Sequence, residues 1–280
     1  MASLSVPALK YVLSASSLVV AAAGLASAEW FDIVQSKSAT LLNCFTGGVI
    51  IATALAHLLA DAVEEDDSVF PWCETLTGVG YGVLLSVELF AMNATTSSKD
   101  NDSDNDRSVS LINNEAREIK FIDAPSTLNH SASATLALVV HSIGDGAAIA
   151  LENSKNRLVA ISGAILVHKF FAACALGTVL AKAKGGERKE GDTKQNVAYG
   201  LAFAFTTPVS IVAIVASGQT FPSGSAVAAR VSSACSGTLL YVGIHEILPL
   251  GLEAPNVSLG AKLASFWIGY GAMSLLAIWA

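Results

Sequence analysis

Apolar positions along this chain do not alternate with polar ones at a helical or strand period. They gather in eight long blocks, near residues 8–28, 39–60, 72–93, 132–152, 158–181, 196–217, 227–250 and 259–280. Each is close to the roughly 20 residues a helix needs to cross a bilayer. They are too long and too uniform for the alternating ten-residue strands of a membrane barrel. In lipid the backbone must satisfy its own hydrogen bonds, so blocks of this length read as helices. The pattern predicts an all-α, polytopic membrane protein with eight transmembrane helices. Residues 1–93 hold the first three, 132–181 the fourth and fifth, and 196–280 the last three.

Two polar stretches interrupt the blocks. Residues 94–131 are rich in Ser, Asn and Asp and poor in aromatics. They read as a largely disordered variable loop, with a short helix around Glu115–Phe121. Residues 182–195 form a basic loop containing Lys182, Lys184, Arg188, Lys189 and Lys194. The first block has a second reading: Lys10, an apolar run and Ala26-Ser27-Ala28 also fit a cleaved signal peptide. The run outlasts an ordinary signal core, which favours a retained helix. Pro208 falls inside the sixth block and should kink it or free a carbonyl, with Thr206 and Thr207 beside it to answer the backbone or face a cavity. Gly144, Gly146, Ala147, Ala148 and Ala150 crowd the fourth block with small residues that let helices approach.

Charge sets the orientation. Only 14% of the 280 residues are charged and the net charge is −7, with no basic patch suited to nucleic acid. With eight spans, Lys37, Lys99, Arg107, Arg117, Lys120, the five basic residues of 182–195 and Lys262 share one side. Lys10, Lys155, Arg157 and Arg230 share the other. The positive-inside rule then places both long loops in the cytosol and both termini outside it. The plasma membrane is the favoured location, with an organelle membrane as the alternative. The acidic run Asp61, Glu64, Glu65, Asp66 and Asp67 sits at the outer end of the second span, either as a solvated loop or as a vestibule that gathers cations. Cys44, Cys73, Cys174 and Cys235 are scattered and form no CxxC pair, so no redox motif is indicated.

Ionisable side chains in spans are costly and mark function. His141 and Asp145 lie four apart on one face of the fourth span, and His168 and Lys169 lie near the middle of the fifth. Imidazole, carboxylate and imidazole make a ligand set for a first-row divalent metal. His57, with Asp61 and Glu64 at i+4 and i+7, lies on one face of the second span as an outer access path. Lys169 is too deep to snorkel, and so pairs with Asp145 or fills the space of a second cation. His130 precedes the fourth span, and His245 beside Glu246 reads as an ordinary core histidine. Glu88 and Glu246 lie near the cytosolic ends of their spans, for helix-end hydrogen bonds or for ion release.

These residues resemble the ZIP (Zrt-, Irt-like protein) family of divalent-metal transporters. His141-Ser142-Ile143-Gly144-Asp145-Gly146 is similar to that family's His-Ser/Asn-x-x-Glu-Gly signature, and His168-Lys169 to the fifth-span His-Lys of one branch. Asn43 through Leu59, Thr207-Pro208, and Gly237 through Glu246-Ile247-Leu248-Pro249 resemble the second, sixth and seventh spans. The resemblance implies a retained first span and an eight-helix, usually dimeric fold. It implies a metal site between the fourth and fifth helices, with elevator-like alternating access toward the cytosol. Asp145 stands where the family usually has Glu. Lys169 and Ala172 stand where other branches place further carboxylates, which implies one metal. No histidine run precedes His130.

The sequence therefore predicts a transporter, not an enzyme, that carries Zn2+ as substrate, with Fe2+ and Mn2+ as alternatives and no cofactor. His141, Asp145 and His168 are the expected ligands, completed by Ser142 or water, with Lys169 adjacent. The expected partners are the metal, the bilayer and a second copy of the chain, with no nucleic acid. Because imidazole must be neutral to bind metal, uptake should fall as pH drops toward about 6. A membrane zinc hydrolase would need a general base and an open coordination position, and no HExxH is present. A receptor or scaffold would use the buried polar groups only to fix helix register.

Overall fold

The computed structural model describes residues 5–30, 37–99, 127–182, 190–218 and 226–277. These residues are helical apart from short connections, with no strand among them. In chain order the helices are α1 (Val6–Trp30), α2 (Lys37–Glu65), α3 (Trp72–Lys99), α4 (Thr127–Leu151), α5 (Lys155–Lys182), α6 (Glu190–Ser217), α7 (Ala226–Leu252) and α8 (Leu259–Ala277). Six of them, all but α3 and α8, contain stretches long and apolar enough to cross a membrane. The helix expected around Glu115–Phe121 and residues 183–189 of the basic loop lie outside the described residues.

Several helices outlast the apolar blocks that announce them. α2 runs on through its acidic end to Glu65, α3 to Lys99, and α6 begins at Glu190. Hydropathy marks only the part of a helix that suits lipid, whereas the backbone ladder continues until something ends it. His130 consequently falls inside α4 yet just ahead of its membrane-spanning stretch Ser131–Leu151.

Two helices are wound loosely in the middle, and local chemistry explains both. In α2, Thr53–Leu59 is π-helical. Thr53 Oγ1 donates to the Val49 carbonyl at 2.8 Å, and Ser236 Oγ donates to the Ala54 carbonyl at 2.7 Å. These hydroxyls take carbonyls that the regular ladder would use. In α7, Val242–Ile247 is π-helical and ends at Leu248, whose N–H reaches the Gly243 carbonyl. Pro249 follows and has no N–H to return to the preceding turn.

The helices form two packed groups. α1, α4, α5 and α6 pack chiefly on one another, as do α2, α3, α7 and α8. The two groups meet mainly along α4–α7 and α2–α5. Polarity is inverted relative to a protein in water. Phe90, Trp267, Ile268 and Val19 are exposed on the outside, whereas Ser17, Thr46, Thr53, His141 and Thr207 are buried. That arrangement is the one lipid demands.

Candidate metal site

α4 and α5 bring together the set that the sequence singled out. His141 and Asp145 are one helical turn apart, and His168 faces them from α5. His141 Nε2 lies 3.1 Å from Asp145 Oδ1, and His168 Nε2 lies 3.5 Å from the same oxygen. The two imidazole Nε2 atoms are 3.4 Å apart. Among the described residues this is the group of three or more His, Cys, Asp or Glu that could hold a metal ion, with all its ligand atoms within 4.8 Å of one another. All three residues are buried. His168 Nδ1 lies 3.0 Å from the Ala164 carbonyl. A carbonyl can only accept, so Nδ1 carries the proton and Nε2 turns its lone pair toward the cluster.

Lys169 sits beside this set but does not touch Asp145 directly. Its ammonium donates to Thr207 Oγ1 at 2.8 Å and to Ser142 Oγ at 3.2 Å, and lies 4.3 Å from the centre of the Phe203 ring. Thr207 Oγ1 in turn donates to the Ser142 carbonyl at 3.1 Å. The Ser142 hydroxyl thus faces Lys169. Ser14 Oγ donates to the Pro208 carbonyl at 3.3 Å, which ties α1 to the proline turn of α6.

Close helix approach holds these parts in place. A Cβ on Gly146 would strike Ser210 and the Thr207 carbonyl of α6, and one on Gly144 would strike Cys235 of α7. The glycines let α4 lie against helices from both groups.

A cavity of about 110 Å3 runs from Asp145 toward the acidic end of α2. His57, Asp61, Glu65, Glu152 and Arg157 line it. His57 Nδ1 is 3.1 Å from Asp61 Oδ2, close but not aligned as a hydrogen bond. Glu64, expected on this face, does not line the cavity, and Glu65 does. At the mouth Arg157 bonds Glu65 of α2 and lies 3.5 Å from Glu152 of the α4–α5 connection. Sequence reasoning used Arg157 only for orientation and passed over Glu152. The signal for Glu65 was its four-residue spacing from Asp61.

On the far side of the cluster, His245 Nε2 is 2.6 Å from the Tyr81 hydroxyl, and its ring stacks on Tyr241 at 4.9 Å. Ser133 Oγ donates to Glu246 Oε1 at 3.0 Å. His245 thus has a structural partner, as a core histidine would. All four cysteines are free.

Residues 122–277 match the Zip family, described as ZIP Zinc transporter. "Protein zntD" of Dictyostelium discoideum is 31% identical over 147 residues, covering 51% of this chain but 21% of that protein. "Probable zinc transporter 8" of Arabidopsis thaliana is 24% identical over 304 residues, covering 99% of this chain and 86% of the relative. "Fe(2+) transport protein 1" of the same plant is 23% identical, covering 86% of this chain and 75% of the relative. The match takes in α4 and α5 with their buried cluster, together with α6, α7 and α8. By that match this chain belongs to the ZIP zinc transporter family, whose members are multi-pass membrane transporters and not enzymes.

Proposed function

We propose that this protein carries Zn2+ into the cytosol by alternating access, with His141, Asp145 and His168 as ligands. The observation that carries this reading is the burial of two imidazoles and one carboxylate with their ligand atoms within 4.8 Å, the carboxylate of Asp145 also lining a cavity. Three charged or chargeable groups at that depth are costly without a shared cation. Zinc leads because imidazole suits it, and Fe2+ and Mn2+ compete for the same donor set. His141 Nε2 lies 3.1 Å from Asp145 Oδ1, in reach to donate its proton to that carboxylate. To bind metal through Nε2 the neutral ring moves that proton to Nδ1, and a ring that takes up a second proton has no lone pair to offer, so binding weakens as pH falls. Water, or Ser142 after it lets go of Lys169, completes the coordination. His57, Asp61 and Glu65 belong to the outer approach, with Glu64 on the exposed face beside them.

The chain crosses the membrane eight times in this reading, with α3 and α8 added to the six more apolar spans. Both termini face away from the cytosol and both long loops face it. The protein works as a homodimer, with the plasma membrane as its favoured location.

The test is uptake of Zn2+, Mn2+ and Fe2+ by proteoliposomes containing the purified chain. His141→Ala, Asp145→Ala and His168→Ala should each abolish saturable Zn2+ uptake at equal protein incorporation, because a three-donor site that loses one ligand loses affinity and geometry together. Asp145→Glu should keep transport and shift the preferred metal. His245→Ala should matter much less. Parental rates in both histidine variants would sink the assignment.

A further inference from the structure

Lys169 raises a problem that the ligand set alone does not solve. Its ammonium is buried next to a carboxylate that a metal ion would need. Lys169 follows His168 in the chain, and its ammonium bonds Ser142, which follows His141. It therefore lies between the neighbours of two proposed ligands, and Asp145 is the negative charge that acts on it. A lysine stem is flexible, and its ammonium can only donate. Left to itself such a group closes on a carboxylate within reach, because a bond between two charged groups is the stronger one in a sheltered site. Here it does not. Nζ donates instead to Thr207 Oγ1 at 2.8 Å and to Ser142 Oγ at 3.2 Å, with the Phe203 ring 4.3 Å away.

The reason lies in Thr207, which is fully buried. A hydroxyl has one proton and two lone pairs. The Thr207 proton goes to the Ser142 carbonyl at 3.1 Å. That fixes the hydroxyl rotor and turns its lone pairs toward the ammonium. α6 is held at this spot independently. Ser210 Oγ donates to the Ile143 carbonyl at 3.0 Å, and a Cβ on Gly146 would come within 2.9 Å of the Thr207 carbonyl oxygen.

We infer that Thr207 is a positioning residue for metal binding: it holds the Lys169 ammonium on the α6 side, so that the Asp145 carboxylate stays open to a divalent cation. The inference rests on the reading of His141, Asp145 and His168 as ligands, and adds what keeps one of them available. Without the Thr207 hydroxyl, one N–H of the ammonium loses its acceptor, and a buried donor left unmet is costly. The ammonium then turns to Asp145. A metal ion must displace it before it can bind.

The consequence is that the effect of Thr207 passes through Lys169, and a double-mutant cycle reads this directly. The measurement is radiozinc binding to the purified full chain by equilibrium dialysis, taking the tightest class of sites. Thr207→Val keeps the shape and removes the hydroxyl, and should weaken binding several-fold. Thr207→Ser keeps the hydroxyl and should bind like the parent. In a Lys169→Met background, which has no ammonium to misplace, Thr207→Val should change nothing. Equal weakening by Thr207→Val in both backgrounds would make Thr207 a packing residue only and overturn the inference. Parental affinity in Thr207→Val, or no rescue by Thr207→Ser, would overturn it as well. Should Thr207→Val fail to fold, Thr207→Ala takes its place in the cycle with the same expected and contrary results. Binding that survives Asp145→Ala unchanged would overturn the ligand reading, and this inference with it. Binding that needs Asp145 but ignores Thr207→Val would overturn the inference alone.

Discussion

Lys169 carries an ammonium into the middle of the molecule, where its side chain is 1% exposed. Its donors are answered by Ser142 and Thr207, and the Phe203 ring lies beneath it. A positive charge beside the proposed ligands disfavours a second divalent ion there. Lys169→Ala should therefore let purified protein take up additional metal per chain or change its selectivity, measured by elemental analysis after dialysis against Zn2+ or Mn2+. Unchanged stoichiometry and unchanged selectivity would count against that role. Asp66 shows the opposite situation, outside the membrane-spanning part. The Arg230 guanidinium lies 2.9 Å from its Oδ2 and holds its carboxyl down at about 2, with the Ser68 hydrogen bonds assisting. A depressed carboxylate stabilises the fold fully above its unfolded value, near 3.9, and less as pH falls toward the folded value. The difference in thermal stability between parent and Arg230→Gln in detergent should stay constant from about pH 7 to 5, then shrink as pH drops below about 4. A difference that grows on acidification would contradict the assigned sign. At this scale the sequence was informative where chemistry is local. His141 and Asp145 share a face because they are four apart. His168 lies at matching depth because α5 returns antiparallel to α4. The hydroxyl partners of Lys169 were not legible, since they depend on where α6 passes α4.

Among the elements, each apolar block overlaps a described helix, and six of those helices hold stretches long and apolar enough to cross a membrane. They could not predict winding. The π-helical turn at Thr53–Leu59 depends on Ser236, which is distant in sequence. It also changes which acidic residues share a face with His57. Counting by 3.6 residues selects Glu64, whereas the wider turn brings Asp61 and Glu65 into line at four-residue steps. Glycine spacing was equally silent about contact. On α3, a Cβ at Gly80 would land on the Ala234 carbonyl of α7, whereas at Gly82 nothing lies within 4 Å. Two identical substitutions should thus diverge. Gly80→Ala forces α3 and α7 apart and should cost about 1–3 kcal/mol, the usual penalty for overpacking. Gly82→Ala should be neutral or stabilise by roughly 0.5–1 kcal/mol through lost backbone freedom. Thermal denaturation of both variants in the same detergent, followed by size-exclusion chromatography, reads the contrast. Equal melting temperatures would mean that α3 and α7 are not held at this distance.

For the whole molecule, the division into two helix groups gives transport a mechanical form. The proposed ligands His141, Asp145 and His168 all belong to one group, so in that reading the group carries the metal as a body. The other group supplies His57, Asp61 and Glu65 along the cavity wall. Contacts between groups are of two kinds. Some are close packings of small residues, such as Gly144 on Cys235, and others are polar, such as Asn43 Oδ1 accepting from Thr178 Oγ1 at 3.3 Å. Interfaces of this mixed kind are suited to rearrangement, whereas apolar cores resist it. If the groups slide, a bond between them must stop the cycle and a bond within one of them must not. Glu65→Cys/Arg157→Cys places two thiols across the groups at the cavity mouth. Asp66→Cys/Arg230→Cys places two at the same end of the molecule within one group. In a background without the native cysteines, a bifunctional thiol reagent should arrest Zn2+ uptake by the first pair and spare most of it in the second. A reducible linker should restore the first on reduction. Arrest of both pairs alike, or of neither, would mean that the two groups do not move past each other during transport.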